Sequence, residues 1–147
     1  MSNNFAKGFY QIKNPEKYAG NGKPIYRSSW EYTFMKFCDE NKSILSWASE
    51  PIRIPYRHPL TGKNTTYVPD FLIVYEQVDG TKKAEIIEIK PRKQSLIEGK
   101  MNDRDRAIVA VNHAKWAAAT KFCQANHLLF RVVNEHDIYH QGRQKKR

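Results

Sequence analysis

Two carboxylates and a lysine stand at the ends of two apolar segments of this chain. Asp70 precedes the apolar run 71–75, while Glu88 and Lys90 directly follow the apolar pair 86–87. If these segments form neighbouring buried strands, the three charged groups lie within a few ångströms of one another. Charges near a core cost several kcal/mol unless they are compensated by a counter-charge or a metal ion. The pattern therefore predicts a binding site, and a divalent cation is the ligand that such oxygen donors favour.

The same residues have the chemistry that phosphodiester hydrolysis requires. Mg²⁺ binds few protein carboxylates and keeps waters and phosphate oxygens as its other ligands, so Asp70 and Glu88 fit as metal ligands. Side chains alternate along a strand, which places Glu88 and Lys90 on one face and Ile89 on the other. Lys90 then points into the site, where a lysine places or polarises water, and the Ile89 carbonyl is a further candidate oxygen ligand.

A helix is predicted over about residues 29–41, before these strands. Ser28 and Glu31 have the spacing of a capping box, which marks a helix start. The buried face of this helix is predicted from its apolar spacing to comprise Trp30, Phe34, Phe37 and Cys38.

The middle of the chain is predicted to be a meander of three antiparallel strands. The first lies within 47–56, where prolines around 52–54 favour an edge strand or a bulge. The second covers 65–75, and the third covers 83–90 and ends before Pro91. Glu50, near the start of this region, is expected either to support the site or to pair with Arg53.

A long helix and a last strand follow. The helix is predicted from about Asp103 to Asn126, and the strand over 128–133 is expected to pair in parallel with the meander after this helical crossover. The predicted apolar stripe of the helix is Ala107, Val111, Ala114, Ala118 and Phe122, widened by Ile108 and Trp116. The fold class is therefore α/β (α+β), with the element order α-β-β-β-α-β and a central mixed sheet flanked by helices.

The charge of the chain indicates a polyanionic partner. Its 25 lysines and arginines exceed its 15 acids and give a net charge of +10 and a pI near 9.6. Nucleic acid is the commonest partner for such an excess, although a soluble basic protein with a solvated positive face is the alternative. The candidate DNA contacts are Arg92, Lys93, Gln94, Lys115, Arg143, Lys145, Lys146 and Arg147.

Length and composition predict one domain of 147 residues. We divide it into an N-terminal arm (1–25), a core (26–139) and a basic C-terminal tail (140–147). The two cysteines lack zinc-site spacing and are expected to be reduced core residues. Without a membrane-spanning stretch or a signal-peptide pattern, an intracellular protein is expected.

The motif and its setting resemble the PD-(D/E)xK nuclease superfamily. Pro69-Asp70 followed by Glu88-Ile89-Lys90, after a helix bearing Glu31, is similar to the motif of that superfamily. The element order is also that of its restriction-endonuclease-like core. The resemblance implies an Mg²⁺-dependent endodeoxyribonuclease, with Mn²⁺ expected to substitute for Mg²⁺.

A closer resemblance extends over most of the chain, to the head-completion nuclease family of T-even-type tailed bacteriophages. That family is related to the endonuclease subunit of Tn7-like transposases. The segments that carry the resemblance are Gly8-Phe9-Tyr10, Asn14-Pro15-Glu16-Lys17-Tyr18, Tyr26-Arg27-Ser28-Ser29-Trp30-Glu31, Trp47-Ala48-Ser49-Glu50, Ile54-Pro55-Tyr56, Tyr67-Val68-Pro69-Asp70-Phe71, Glu88-Ile89-Lys90-Pro91 and Asn112-His113-Ala114-Lys115-Trp116.

This resemblance assigns roles to individual residues. It implies that Asp70 and Glu88 bind metal, that Lys90 is the catalytic lysine, and that Glu31 is an additional metal-binding or water-positioning carboxylate. For Glu31 the capping box is a sufficient alternative explanation. The implied setting is phage head completion after DNA packaging, in the host cytoplasm or associated with the virion, with portal or neck proteins and a homodimer as further expected partners.

Two other functions remain open from the sequence. The protein could bind DNA ends or the portal and neck of a filled capsid without cutting DNA. A transposon-type or restriction endonuclease would share the chemistry in a different biological context.

Overall fold

The computed structural model describes residues 7–90, 102–134 and 137. Its elements in chain order are β1 (Gly8–Phe9), a 3-10 turn (Pro15–Lys17), β2 (Ile25–Tyr26), α1 (Ser29–Glu40), β3 (Ile44–Ser49), β4 (Ile54–Arg57), β5 (Asn64–Tyr67), β6 (Phe71–Glu76), β7 (Lys82–Ile89), α2 (Asp103–Ala125) and β8 (Leu129–Val133). None of the helices in these ranges combines the length and apolar character that a membrane crossing requires.

The four central strands form a mixed sheet in the order β3-β6-β7-β8. The β3–β6 and β6–β7 pairs are antiparallel, whereas β7 and β8 pair in parallel, with Glu88 opposite Val132. This parallel pair after a helical crossover confirms the prediction for the last strand. The mixed sheet flanked by helices confirms the predicted restriction-endonuclease-like fold class.

The alternation of side chains divides the hydrophobic core between the two faces of the sheet. On one face, Phe71 and Ile87 pack with Phe34 and Cys38 of α1. On the other face lies a second cluster, which joins Ala119 of α2 to apolar residues of β4 and β5. Glu88 and Lys90 alternate with the inward-facing Ile87 and Ile89, so they lie on the α2 face, where the polar residues of the site gather.

The predicted continuous strand over 65–75 is wrong. The chain leaves the strand conformation after Tyr67 and resumes it at Phe71, because Pro69 has no N–H to donate to a sheet. The predicted three-stranded meander is corrected with it: β4 and β5 form a separate antiparallel hairpin, with Ile54 opposite Tyr67. One edge strand of the central sheet is β3, and it pairs with β6, the strand that follows the inserted hairpin in the chain.

Both helices begin where the sequence predicts. The Ser28 side chain caps α1, and Asn102 caps α2 by accepting a hydrogen bond from the Asp105 N–H at 2.8 Å. The predicted apolar stripe of α2 requires correction, because its members are half-buried. The most buried positions are Val109, Asn112, Ala119 and Cys123. The helix packs against both β4 and β8, which buries a wider arc than one stripe.

The part of the N-terminal arm from residue 7 onward packs against the domain. Asp39 at the end of α1 is fully buried, and its carboxylate accepts hydrogen bonds from Tyr10 Oη at 2.8 Å, Lys13 N at 2.8 Å and Asn14 N at 3.0 Å. The Ala19 N–H donates to the Trp47 carbonyl at 2.8 Å, so the arm also covers the edge of β3. Cys38 and Cys123 are buried free thiols, as predicted.

Candidate active site

The break between β5 and β6 positions Asp70 at the end of the sheet. Asp70 Oδ2 accepts a hydrogen bond from the Ile89 N–H at 2.7 Å, and the Asp70 carbonyl accepts one from the Glu50 N–H at 2.8 Å. These bonds join Asp70 to the ends of β7 and β3. Ile89 therefore contacts the site through its backbone, while its side chain packs in the core.

Glu88 is the most buried acid of the site, with 4% of its surface exposed. Its Oε1 accepts a hydrogen bond from Tyr67 Oη at 2.7 Å, and its Oε2 lies 3.6 Å from Lys90 Nζ. The Lys90 N–H donates to the Val133 carbonyl at 2.9 Å, which holds the backbone of the lysine beyond the end of β7. The strand alternation that predicted Glu88 and Lys90 on one face is present.

The two carboxylates are not fully compensated by the protein. Burial, and then the neighbouring Glu88, raise the pKa of Asp70 well above its usual value. Burial also raises the pKa of Glu88, although the Tyr67 hydroxyl and Lys90 act in the opposite direction. Raised acid pKa values mean that the folded protein disfavours the negative charges at this point. A bound cation would remove that penalty.

Glu31 approaches the site from α1, on the other side of the sheet. Its N–H donates to Ser28 Oγ at 3.1 Å, which confirms the predicted cap, but its own Oε1 accepts from the Arg27 N–H at 2.9 Å. The reciprocal bond of the capping box is thus displaced by one residue. Burial raises the pKa of Glu31, the Arg27 N–H and the charges of Arg27 and Lys90 act in the opposite direction, and the Glu31 charge raises the pKa of Asp70. Glu31 therefore lies within electrostatic range of the site.

Lys115 reaches the site from α2. Burial, and then the nearby Lys90, lower the pKa of the half-buried Lys115, while Glu88 and Asp70 raise it. Its Nζ lies 5.8 Å from the centroid of the Tyr67 ring. The structure thus brings together Asp70, Glu88, Lys90 and Lys115, with Glu31 nearby. The other candidate DNA contacts, Arg92, Lys93, Gln94, Arg143, Lys145, Lys146 and Arg147, lie outside the described residues.

Two features of the site were not predicted. Tyr67, three residues before Asp70, donates a hydrogen bond from its hydroxyl to Glu88. Glu50 forms an ion pair with Arg27 instead of Arg53, and its backbone has a φ of 48°. Such a left-handed conformation is uncommon for a residue other than glycine. The only available sequence signal for Tyr67 is its adjacency to the Pro69-Asp70 break.

The donor set fits a hard divalent cation. It offers carboxylate oxygens from Asp70 and Glu88 beside the backbone of Ile89, whose N–H donates to Asp70. Within residues 7–90 and 102–134, no group of three or more His, Cys, Asp or Glu side chains is arranged to hold a metal. This excludes a closed zinc-type cage from the described ranges and is compatible with Mg²⁺, which takes one or two carboxylates and retains waters.

Comparison with known proteins assigns the family. Residues 41–135 match the model of the TnsA-like endonuclease N-terminal family. The chain belongs to this family. Asp70, Glu88 and Lys90 lie within the matched segment of this TnsA-like chain, and Glu31 lies before it. The chain is also 33% identical over 139 residues to the head completion nuclease of Enterobacteria phage T4, covering 87% of this chain and 90% of that protein. The resemblance to the head-completion nuclease family and to the endonuclease subunit of Tn7-like transposases is thereby confirmed.

Proposed function

We propose that this protein is a divalent-metal-dependent DNA endonuclease of the PD-(D/E)xK type, which acts in phage head completion after DNA packaging. Its relationship to a head completion nuclease and to TnsA-like endonucleases supports nuclease activity in this setting. Assembly in the host cytoplasm, and portal or neck proteins and a second copy of the chain as partners, are further parts of the proposal.

The observation that carries the proposal is the meeting of Asp70, Glu88 and Lys90 at one end of the sheet. Asp70 Oδ2 is tied to the backbone of Ile89, and Glu88 Oε2 faces Lys90 Nζ at 3.6 Å. Burial raises the pKa values of both acids. A fold that keeps two such carboxylates beside a lysine gains most when a cation binds between them.

Each residue then has a distinct part in hydrolysis. Asp70, Glu88 and the Ile89 carbonyl would hold Mg²⁺, or Mn²⁺ in its place, which activates water and neutralises phosphate charge. The Lys90 side chain is partly exposed, so its ammonium group can donate hydrogen bonds to the attacking water or to a phosphate oxygen. Glu31 would orient a water from the opposite side of the sheet.

The net charge of +10 supports binding of the substrate through its phosphates. Among the candidate DNA contacts, Lys115 is the one that lies within the described residues. Its ammonium group lies near both carboxylates and on the same face as Lys90. Its charge would bring a phosphate close to the two acids. Phosphate contacts of this kind position DNA without reading its sequence.

The test is a cleavage assay on linear, circular and branched DNA with Mg²⁺, Mn²⁺ or EDTA. Glu88→Gln is compared with Glu85→Gln, a matched control on the same strand. Glu85 is also buried and hydrogen-bonded to a tyrosine, but it lies on the opposite face. Loss of a residue that only supports a metal ligand costs up to about 100-fold. Glu88 is proposed to bind the metal directly, so we expect Glu88→Gln to reduce the cleavage rate by more than about 100-fold. Glu85→Gln should retain cleavage.

Cleavage that persists in EDTA, or at the wild-type rate in Glu88→Gln, would overturn the proposal. DNA binding without any cleavage in the presence of either metal would favour the non-cleaving, end-binding or portal-binding alternative.

A further inference from the structure

Tyr67 connects two charged groups of the site that come from different elements. It is the last residue of β5 and is 4% exposed. Its hydroxyl donates to Glu88 Oε1 at 2.7 Å, and its ring centroid lies 5.8 Å from Lys115 Nζ. The ring packs with Ile54 and Ala119, so its position is set by the hairpin and by α2.

We propose that Tyr67 is a positioning residue for metal binding by Glu88, an inference that rests on the proposed function. Its hydroxyl engages Oε1 and thereby limits rotation of the carboxylate, leaving Oε2 directed toward Lys90. Hydrogen bonds from outer residues orient the ligands of metal sites, and their loss costs about 10–100-fold in metal affinity. Tyr67 would act on the cation only through Glu88.

A second tyrosine–glutamate pair on the opposite face of the sheet provides an internal comparison. Tyr75 Oη donates to Glu85 Oε2 at 2.5 Å, and Arg131 Nε donates to Glu85 Oε1 at 3.1 Å. Both oxygens of Glu85 are therefore engaged. Glu88 differs, because Lys90 Nζ lies 3.6 Å from its Oε2, beyond ordinary hydrogen-bond distance. Glu88 Oε2 retains the capacity to accept a ligand.

The chemistry of the hydroxyl suits this role. A tyrosine hydroxyl is neutral near neutral pH and keeps the proton that it donates to Glu88 Oε1. A neutral donor orients the carboxylate and leaves its negative charge free to attract a cation. An arginine in the same place would cancel that charge. The ring supports Lys115 separately, through a cation–π contact.

The test compares Tyr67→Phe with Tyr75→Phe, each of which removes one hydroxyl and keeps the ring. Mn²⁺ alone is titrated into the full-length protein without DNA, and its affinity is measured by calorimetry. We expect Tyr67→Phe to weaken Mn²⁺ binding about 10–100-fold and Tyr75→Phe to leave it unchanged. Circular dichroism and melting verify that both variants are folded.

A second readout is the dependence of cleavage on Mn²⁺ concentration. For Tyr67→Phe the half-saturating concentration should rise in proportion to the lost affinity, with much of the maximal rate restored at high Mn²⁺. A purely structural role would lower the maximal rate and leave the half-saturating concentration unchanged.

Equal Mn²⁺ affinities for wild type and Tyr67→Phe would overturn the role of Tyr67 and leave the proposed function intact. Equal losses in Tyr67→Phe and Tyr75→Phe would also overturn it, because they would indicate general loosening. If the wild type neither binds Mn²⁺ nor cleaves DNA, the proposed function itself fails.

Discussion

Replacement of Asp70 by asparagine is expected to stabilise the metal-free protein while abolishing its stabilisation by Mg²⁺. Burial and the neighbouring Glu88 raise the pKa of Asp70, so its negative charge opposes folding when no cation is present. Asparagine removes that charge and retains a side-chain oxygen that can accept the hydrogen bond from the Ile89 N–H. The substitution therefore separates the cost of the charge from the structural bond.

The sign and size follow from proton linkage. The pKa of Asp70 is higher in the folded state than its unfolded value of about 3.9, so folding favours the protonated acid. The wild type loses stability as pH rises between these two values, by about 1.4 kcal/mol for each unit of difference. For a domain near this size, 1 kcal/mol corresponds to about 2–4 °C in Tm. Above the folded-state pKa, Asp70→Asn should melt higher than the wild type by about 3–6 °C for each unit of pKa difference.

Mg²⁺ should change this order. A ligand at one hundred times its Kd stabilises a protein by about 2.7 kcal/mol. The wild type gains this stabilisation, whereas Asp70→Asn has lost a charged ligand and should gain little. Saturating Mg²⁺ should therefore reduce or reverse the difference in Tm by which Asp70→Asn exceeds the wild type in EDTA.

The assay is thermal melting from about pH 4 to about pH 9, in EDTA and in Mg²⁺. Asp79→Asn is the control, because Asp79 is exposed and hydrogen bonds from Thr81 lower its pKa. It should show neither the gain in EDTA nor the loss of the Mg²⁺ response. An Asp70→Asn protein less stable than wild type in EDTA at neutral pH would refute the reasoning, as would equal stabilisation of both proteins by Mg²⁺.

Three further predictions concern the arm, the proposed DNA contact of Lys115 and the end of α2. Asp39→Ala should lose about 3–5 kcal/mol in urea denaturation, because Tyr10 Oη and two amides of the arm lose a buried charged partner. The pKa of Asp39 is lowered in the folded protein, so its contribution to stability is present above about pH 3.9 and is lost as pH falls below that value. An unchanged urea midpoint in Asp39→Ala would contradict this contribution. Lys115→Gln should reduce the salt slope of DNA binding by about 1, whereas the exposed Lys121→Gln on the same helix should change it less; equal slopes would exclude a phosphate contact. His127→Gly should raise stability by about 0.5–1 kcal/mol in melting, because His127 follows the C-cap of α2 with a φ of 58°; a lower Tm would count against strain there.

The helices and strand β7 could be predicted because their signals are local. Ser28 caps α1 through a residue three positions away, and the alternation of a strand alone places Glu88 and Lys90 on one face. The prediction of a continuous strand over 65–75 was wrong because the alternation of apolar and polar residues does not show where a strand leaves a sheet. The sequence does show Pro69, which has no N–H to donate to a sheet. This lack interrupts the strand in spite of the alternation.

The predicted buried face of α2 was too narrow for a different reason. An apolar stripe identifies the side that faces a single partner, but α2 packs against β4 as well as β8. Asn112 is among its buried residues and carries no apolar signal. Contacts of this kind depend on where the hairpin lies.

The sequence by itself determined which residues are the candidates for the proposed chemistry: Asp70, Glu88 and Lys90, at the ends of apolar segments that form strands. Its charge balance and motifs likewise indicated a polyanionic substrate and the family, since these depend on residue type and spacing alone. Only the tertiary structure decided how the site is supported. Tyr67 and Glu88 are 21 positions apart, and they meet because a separate hairpin packs on α2 beside the end of β7. That contact depends on long-range packing, which local periodicity does not encode.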